Sequence, residues 1–175
     1  MSPEFYFLIF SFGLAVFFRK IVNKSPLWLN LILNVPGTIG HELCHALVGA
    51  IFRADVATIN LIPKVSAGSI TYGYVTFNNL NNFNALPVAM APFLLLLVPF
   101  VSFELIINYN LDIYWIISLV FLTAMLCHSA IPSSVDFALL KNFIFGTIIW
   151  LTIFFSFIYS SYQIEINHII NFLKI

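Results

Sequence analysis

Long apolar runs separated by short polar breaks organise the chain. The first covers about residues 5–18, follows Glu4 and precedes Arg19-Lys20. That flank order is the reverse of a cleaved leader, so the run is read as a membrane helix. A second run, 26–52, is interrupted by Pro36-Gly37. Proline removes a backbone donor, which predicts a kink or a fresh helix start there. The third run, about 85–107, contains Pro87, Pro92 and Pro99 and is expected to be bent or broken. A fourth, about 113–131, follows the polar turn 108–112, and a fifth, about 143–159, follows Pro132-Ser133-Ser134-Val135-Asp136. Residues 163–175 mix Glu165, His168 and Lys174 with apolar positions, as an interfacial tail does.

Between the second and third runs the period changes. Ile59 and Leu61 alternate with Thr58 and Asn60, and Ile70, Tyr72 and Tyr74 alternate with Ser69, Thr71 and Gly73. Alternation at period two predicts strands, and residues 63–68 fall between them, so 54–77 reads as a β-hairpin at the membrane surface. The asparagine-rich stretch 78–84 reads as a loop and, in the plainest view, a connector. The expected fold is an all-α membrane protein of about five transmembrane helices, with a small surface β-hairpin between the second and third. One domain, 1–175, is expected.

Composition agrees with this pattern. The chain is 61% hydrophobic and 8% charged, with a mean hydropathy of +1.01, too little polar surface for a soluble domain of 175 residues. Seven basic and seven acidic residues cancel, so no basic patch is available for a nucleic-acid partner. Cys44 and Cys127 lie within apolar runs and read as small buried residues rather than a disulfide. With five spans, Arg19, Lys20, Lys24 and Lys174 fall on one side and Arg53, Lys64 and Lys141 on the other, which leaves the orientation open.

Against that background His41-Glu42-Leu43-Cys44-His45 stands out. On a helix, His41 and His45 share a face one turn apart and can converge on a single zinc ion, with Glu42 beside them as a general base. Ionisable groups in an apolar run are costly to bury without a purpose. A catalytic zinc site takes a third protein ligand, and Glu104, His128 and Asp136 are the candidates. Threading the spans back and forth places Glu104 at the far end from the histidines. His128 and Asp136 both return to their depth, and carboxylate and imidazole are both acceptable ligands. Asp136 also fits a capping box with Ser133, at the start of a helix. His128 also fits a hydrogen-bonding partner of the site, an oxyanion donor, or a contact to a neighbouring helix.

A His-Glu-x-x-His helix in the membrane, followed after a later span by Pro132-Ser133-Ser134-Val135-Asp136, resembles the site-2 protease class of intramembrane zinc metalloproteases. The likeness covers roughly residues 36–137. It implies a surface β-element after the motif helix, which 54–77 resembles. It also implies an aspartate near a proline as the third zinc ligand, which is Asp136 here; the family's usual Leu-Asp-Gly setting is replaced by Val-Asp-Phe. The expected activity is hydrolysis of a peptide bond in or beside the bilayer, with zinc on His41, His45 and Asp136 and Glu42 as base. The expected partners are a membrane-protein substrate and the lipid bilayer. The expected location is the inner cell membrane of a bacterium or archaeon. The alternative is a zinc-binding membrane protein that does not cleave and instead regulates or partners another membrane protein.

Overall fold

The computed structural model describes the backbone of residues 3–66 and 69–173. Seven α-helices carry the chain: α1 (Pro3–Lys24), α2 (Leu27–Ile51), α3 (Ala85–Met90), α4 (Val98–Tyr109), α5 (Ile113–His128), α6 (Ser134–Asn142) and α7 (Ile144–Leu173). A 3₁₀ segment, Ala91–Leu97, joins α3 to α4 without a loop. The third apolar run is thus broken in the expected way. Pro92 and Pro99 sit at the first turns of the segments that come after each change of winding, where a missing N–H costs nothing.

Pro36, in contrast, does not divide its run. α2 continues as one helix of 25 residues, with Pro36 inside it. Two glycines just beyond it supply the reason. Gly37 and Gly40 let neighbouring elements approach so closely that a Cβ on Gly37 would stand 2.8 Å from the Met125 carbonyl oxygen, and one on Gly40 2.7 Å from Leu126. Packing of α2 against α5 at this distance offsets the hydrogen bond that proline removes.

Among the described residues three helical stretches are long and apolar enough to cross a membrane: Glu4–Lys24, Ala85–Tyr109 and Ile144–Ile164. The five expected runs are all helical, but two fall outside this group. α5 has 16 residues, about 24 Å of helix against a hydrocarbon core of about 30 Å. α2 is long enough, but Asn30, Asn34, His41, Glu42 and His45 lower its hydropathy. The C-terminal tail is not a separate element, because α7 runs on to Leu173. The side chains of Glu165, His168 and Lys174 lie outside the described residues.

Strands fill the expected stretch in a nested arrangement. β1 (Val56–Asn60) pairs antiparallel with β4 (Tyr74–Phe77), and inside them β2 (Lys64–Ser66) pairs with β3 (Ser69–Thr71). The inner ladder occupies part of 63–68, which the sequence pattern assigns to the turn. The hairpin lies along α2. Gly49 meets the Phe77 ring, Gly73 meets Thr38 and Glu42, and the Tyr72 hydroxyl donates to Asn30 Oδ1 at 2.8 Å. From Gly49 back to Asn30 is about 29 Å of helix at 1.5 Å per residue.

The asparagine stretch is more than a connector. Asn81 Oδ1 caps the amides of Phe83 and Asn84 at 2.9 and 3.2 Å, and buried Asn84 donates to the Asn79 carbonyl at 2.8 Å. Asn82 accepts from the Gly146 amide at 3.2 Å, and Trp150 donates to the Phe83 carbonyl at 2.6 Å, so the loop docks α7. It also fixes the start of α3, whose Val88 packs with Val48, Ala54 and Ala91 in the small apolar core beside α2.

Gly37→Ala should lower thermal stability in detergent by about 1–3 kcal/mol, the usual cost of overpacking a tight contact. A Cβ at Gly13 meets nothing within 4 Å, so Gly13→Ala is the control, expected to be neutral or slightly stabilising. Equal melting of the two variants would contradict the close α2–α5 contact.

Candidate metal centre

α2 supplies His41, Glu42 and His45, and the first turn of α6 supplies Asp136. Both imidazoles are oriented by main-chain oxygens from other elements. His41 Nδ1 lies 2.7 Å from the Ser129 carbonyl just after α5, and His45 Nδ1 lies 2.8 Å from the Val88 carbonyl in α3. A carbonyl only accepts, so each Nδ1 must donate, which places the proton there and leaves each Nε2 as an electron-pair acceptor.

Those two acceptors face one another. His41 Nε2 and His45 Nε2 are 3.2 Å apart, and the Asp136 oxygens stand 3.4 Å from the first and 3.1 Å from the second. Three lone-pair donors converge with no hydrogen between them, which is unfavourable unless a cation joins the group. The separations also fit a metal: ligands about 2.0–2.1 Å from a tetrahedral zinc lie about 3.3 Å from each other. The three residues therefore form a group that could hold a metal ion.

Asp136 serves two purposes at once. Its Oδ2 accepts from the Ser133 amide at 2.6 Å while its own amide donates to Ser133 Oγ at 3.3 Å, the reciprocal pair of a capping box. The capping and metal readings of this residue are thus compatible, because the box holds the carboxylate where the imidazoles meet it. Burial alone would raise its pKa, but the hydrogen bond from the Ser133 amide acts the other way, and the carboxyl stays well below the usual range. It is the anionic member of the group.

Glu42 is 9% exposed and lies under the hairpin. A Cβ on Gly73 would stand 2.8 Å from Glu42 Cγ and 2.9 Å from Thr38 Cγ2, so only glycine permits this approach. The group opens into a cavity of about 820 Å³ bounded by α1, α2, β4, α5 and α6.

His128 lines the same cavity but is not a member of the group. Its ring lies edge-on to Phe18, and its Nδ1 is buried without a partner among the described residues. Glu104, on α4, accepts from Asn108 at 3.2 Å and lies outside the group, as the threading argument expects. Cys44 packs on the small core beside α2, and Cys127 is buried with Sγ 3.7 Å from the Leu95 carbonyl.

Sequence reasoning finds the donors and misses what orients them. The Ser129 and Val88 carbonyls carry no residue-type signal. Gly73 and the polar positions Asn30, Asn34 and Thr38 were open to inspection: the last three continue the face of His41 and His45 at helical spacing.

The class that fold and site define is a helical protein with helices able to cross a membrane and a His-His-carboxylate group able to bind a metal. Comparison with protein families, curated proteins and solved structures finds no match to this chain.

Metal content of the purified protein checks the assignment. Wild type should hold one divalent ion, His41→Ala, His45→Ala and Asp136→Ala should each lose it, and His128→Ala should keep it. Ser133→Ala should keep the ion but weaken its affinity by about 10- to 100-fold, the usual effect of removing a group that orients a ligand.

Proposed function

We propose that the protein is an intramembrane zinc metalloprotease that hydrolyses a peptide bond of a membrane-embedded or membrane-adjacent substrate. The observation that carries this reading is the position of Glu42, next to a three-acceptor metal group and facing a cavity whose wall is a strand. α2 and α5 would cross the bilayer with the three longer stretches. The polar residues of α2 face the cavity rather than lipid, which is how membrane helices accommodate such groups.

Zinc on His41, His45 and Asp136 would supply a Lewis acid that polarises a carbonyl and makes water nucleophilic near neutral pH. The chain's own residues do the rest. The Ser129 and Val88 carbonyls keep both imidazoles in the ligating tautomer, and the Ser133 box keeps Asp136 in place. Glu42 takes a proton from the attacking water and returns it to the leaving amine.

A substrate helix hides its carbonyls in internal hydrogen bonds and must be opened first. β4 supports an account of how it is held. All four of its residues, Tyr74 to Phe77, line the cavity. Successive strand residues point to opposite faces, so a cavity touching all of them runs along the strand's edge. β1 occupies one edge of β4, and among the described residues no strand pairs with the other edge, which leaves it for an extended peptide.

Glu42→Gln should keep its zinc and lose cleavage of a reconstituted apolar substrate by at least about a hundredfold, the scale of general-base catalysis. Full activity in that variant would overturn the mechanism; metal binding with no turnover in wild type would favour the non-cleaving alternative. Backbone N-methylation of a peptide at alternate positions removes the donors a strand needs, so it should abolish binding in one register only. Uniform tolerance would exclude strand pairing.

A further inference from the structure

In a continuous α-helix each carbonyl accepts from the amide four residues on, so a carbonyl inside a helix is not ordinarily available to a side chain. The Val88 carbonyl lies inside the helical stretch Ala85–Tyr109, yet it orients His45. Four residues on stands Pro92, which has no amide hydrogen. That missing donor leaves a place on the carbonyl, and His45 Nδ1 fills it at 2.8 Å.

Counting lone pairs shows that the place admits one occupant. A carbonyl oxygen has two of them. The Val88 oxygen accepts from the Ala91 amide, in the tightened winding that leads into the 3₁₀ segment, and from His45. An amide at position 92 would be a third donor on an acceptor with room for two. It would also be the local one, carried at helical spacing, whereas His45 reaches across from α2.

The same arrangement recurs along the stretch. Pro99 stands four residues after Leu95, whose carbonyl accepts from the Val98 amide and from Cys127 Sγ at 3.7 Å. Pro87 stands four residues after Phe83, whose carbonyl accepts from Trp150 Nε1 at 2.6 Å. Each proline thus leaves a carbonyl open, and a side chain from α2, α5 or α7 takes it. Of the three, the one opened by Pro92 serves the metal group. His41 reaches an equivalent position by another route: α5 ends at His128, and the amide four residues after Ser129, that of Ser133, is bound to Asp136 Oδ2.

We propose that Pro92 is a positioning residue of the metal group: by withholding the amide that would bond the Val88 carbonyl, it reserves that carbonyl for His45 Nδ1. The proton is thereby held on Nδ1, and Nε2 is left as the ligating atom. Pro92 touches no metal ligand chemistry itself and acts only through Val88. This rests on the metal reading of His41, His45 and Asp136 and is independent of whether a peptide bond is cut.

The test compares two replacements of nearly equal size, one with an amide and one without. Zinc affinity is measured by chelator competition on the full chain in phosphatidylcholine nanodiscs, for wild type, for Pro92→Ala, and for a protein with lactic acid in place of Pro92, whose ester oxygen cannot donate. Pro92→Ala should weaken zinc binding by about 10- to 100-fold, the usual effect of disturbing a group that orients a ligand. The ester form should keep the wild-type affinity. Pro99→Ala is the control, because Pro99 is as fully buried as Pro92 and its carbonyl partner lies with Cys127; zinc affinity should not change. Nitrogen NMR of the histidine rings gives a second readout. The His45 Nδ1–H resonance, sensitive to its hydrogen bond, should coincide in wild type and the ester form and shift in Pro92→Ala. Equal affinity in wild type and Pro92→Ala, equal loss in the alanine and ester forms, or as large a loss in Pro99→Ala would overturn the proposal. A wild type that takes up no zinc removes the metal reading instead, and the His45 Nδ1 resonance of the zinc-free protein then decides the role of Pro92. Zinc binding without cleavage, with the alanine and ester forms differing as stated, leaves the proposal standing and removes the protease reading.

Discussion

Three acceptors held 3.1 to 3.4 Å apart constrain everything around them. Such an arrangement opposes itself electrostatically and persists only if surrounding structure fixes each member. Here the fixing groups come from four places in the chain: the end of α5, the middle of α3, the cap of α6 and the helix α2 itself. Much of the fold can be read as the means of bringing those four together. Gly37 and Gly40 draw α5 onto α2 and so deliver the Ser129 carbonyl to His41. The asparagine loop sets the start of α3 and so delivers the Val88 carbonyl to His45.

The same dependence explains what could be read from the sequence. Apolar runs and a change of period gave the helical class, the strand pair and its place in the chain, because each rests on local patterning. His41, Glu42 and His45 were legible because helix periodicity alone puts them on one face. Asp136 was legible through the threading of the spans and a resemblance, and the capping box that competed with the ligand reading is present in the same geometry. What could not be read were relations between distant segments. The course of the hairpin along α2 depends on Gly49, Gly73 and Tyr72 meeting partners far off in sequence. Nor does local pattern show that Pro36 is tolerated, since the compensation lies in α5.

α7 differs from the rest. Only 6% of its most apolar window is buried, against 22% for α1 and 28% for the stretch through α3 and α4. It is fastened at one end, where Gly146 meets Asn82 and Trp150 meets Phe83, and from Leu151 to Ile164 it exposes mostly aromatic and aliphatic side chains. The core that carries the His-His-Asp group is therefore built from α1 to α6, and the asparagine loop joins that core to α7 while also setting α3.

Asp136 gives one carboxylate to two tasks, terminating a helix and completing a cluster. Sharing of this kind couples a local choice to a global one. Were α6 to begin one residue early or late, Val135 or Phe137 would stand in its place, and the chain would lose its helix cap and its third acceptor together. A misregistered chain thus forfeits two contacts at a single position, so the choice of where α6 starts and the choice of where the cluster closes are one choice.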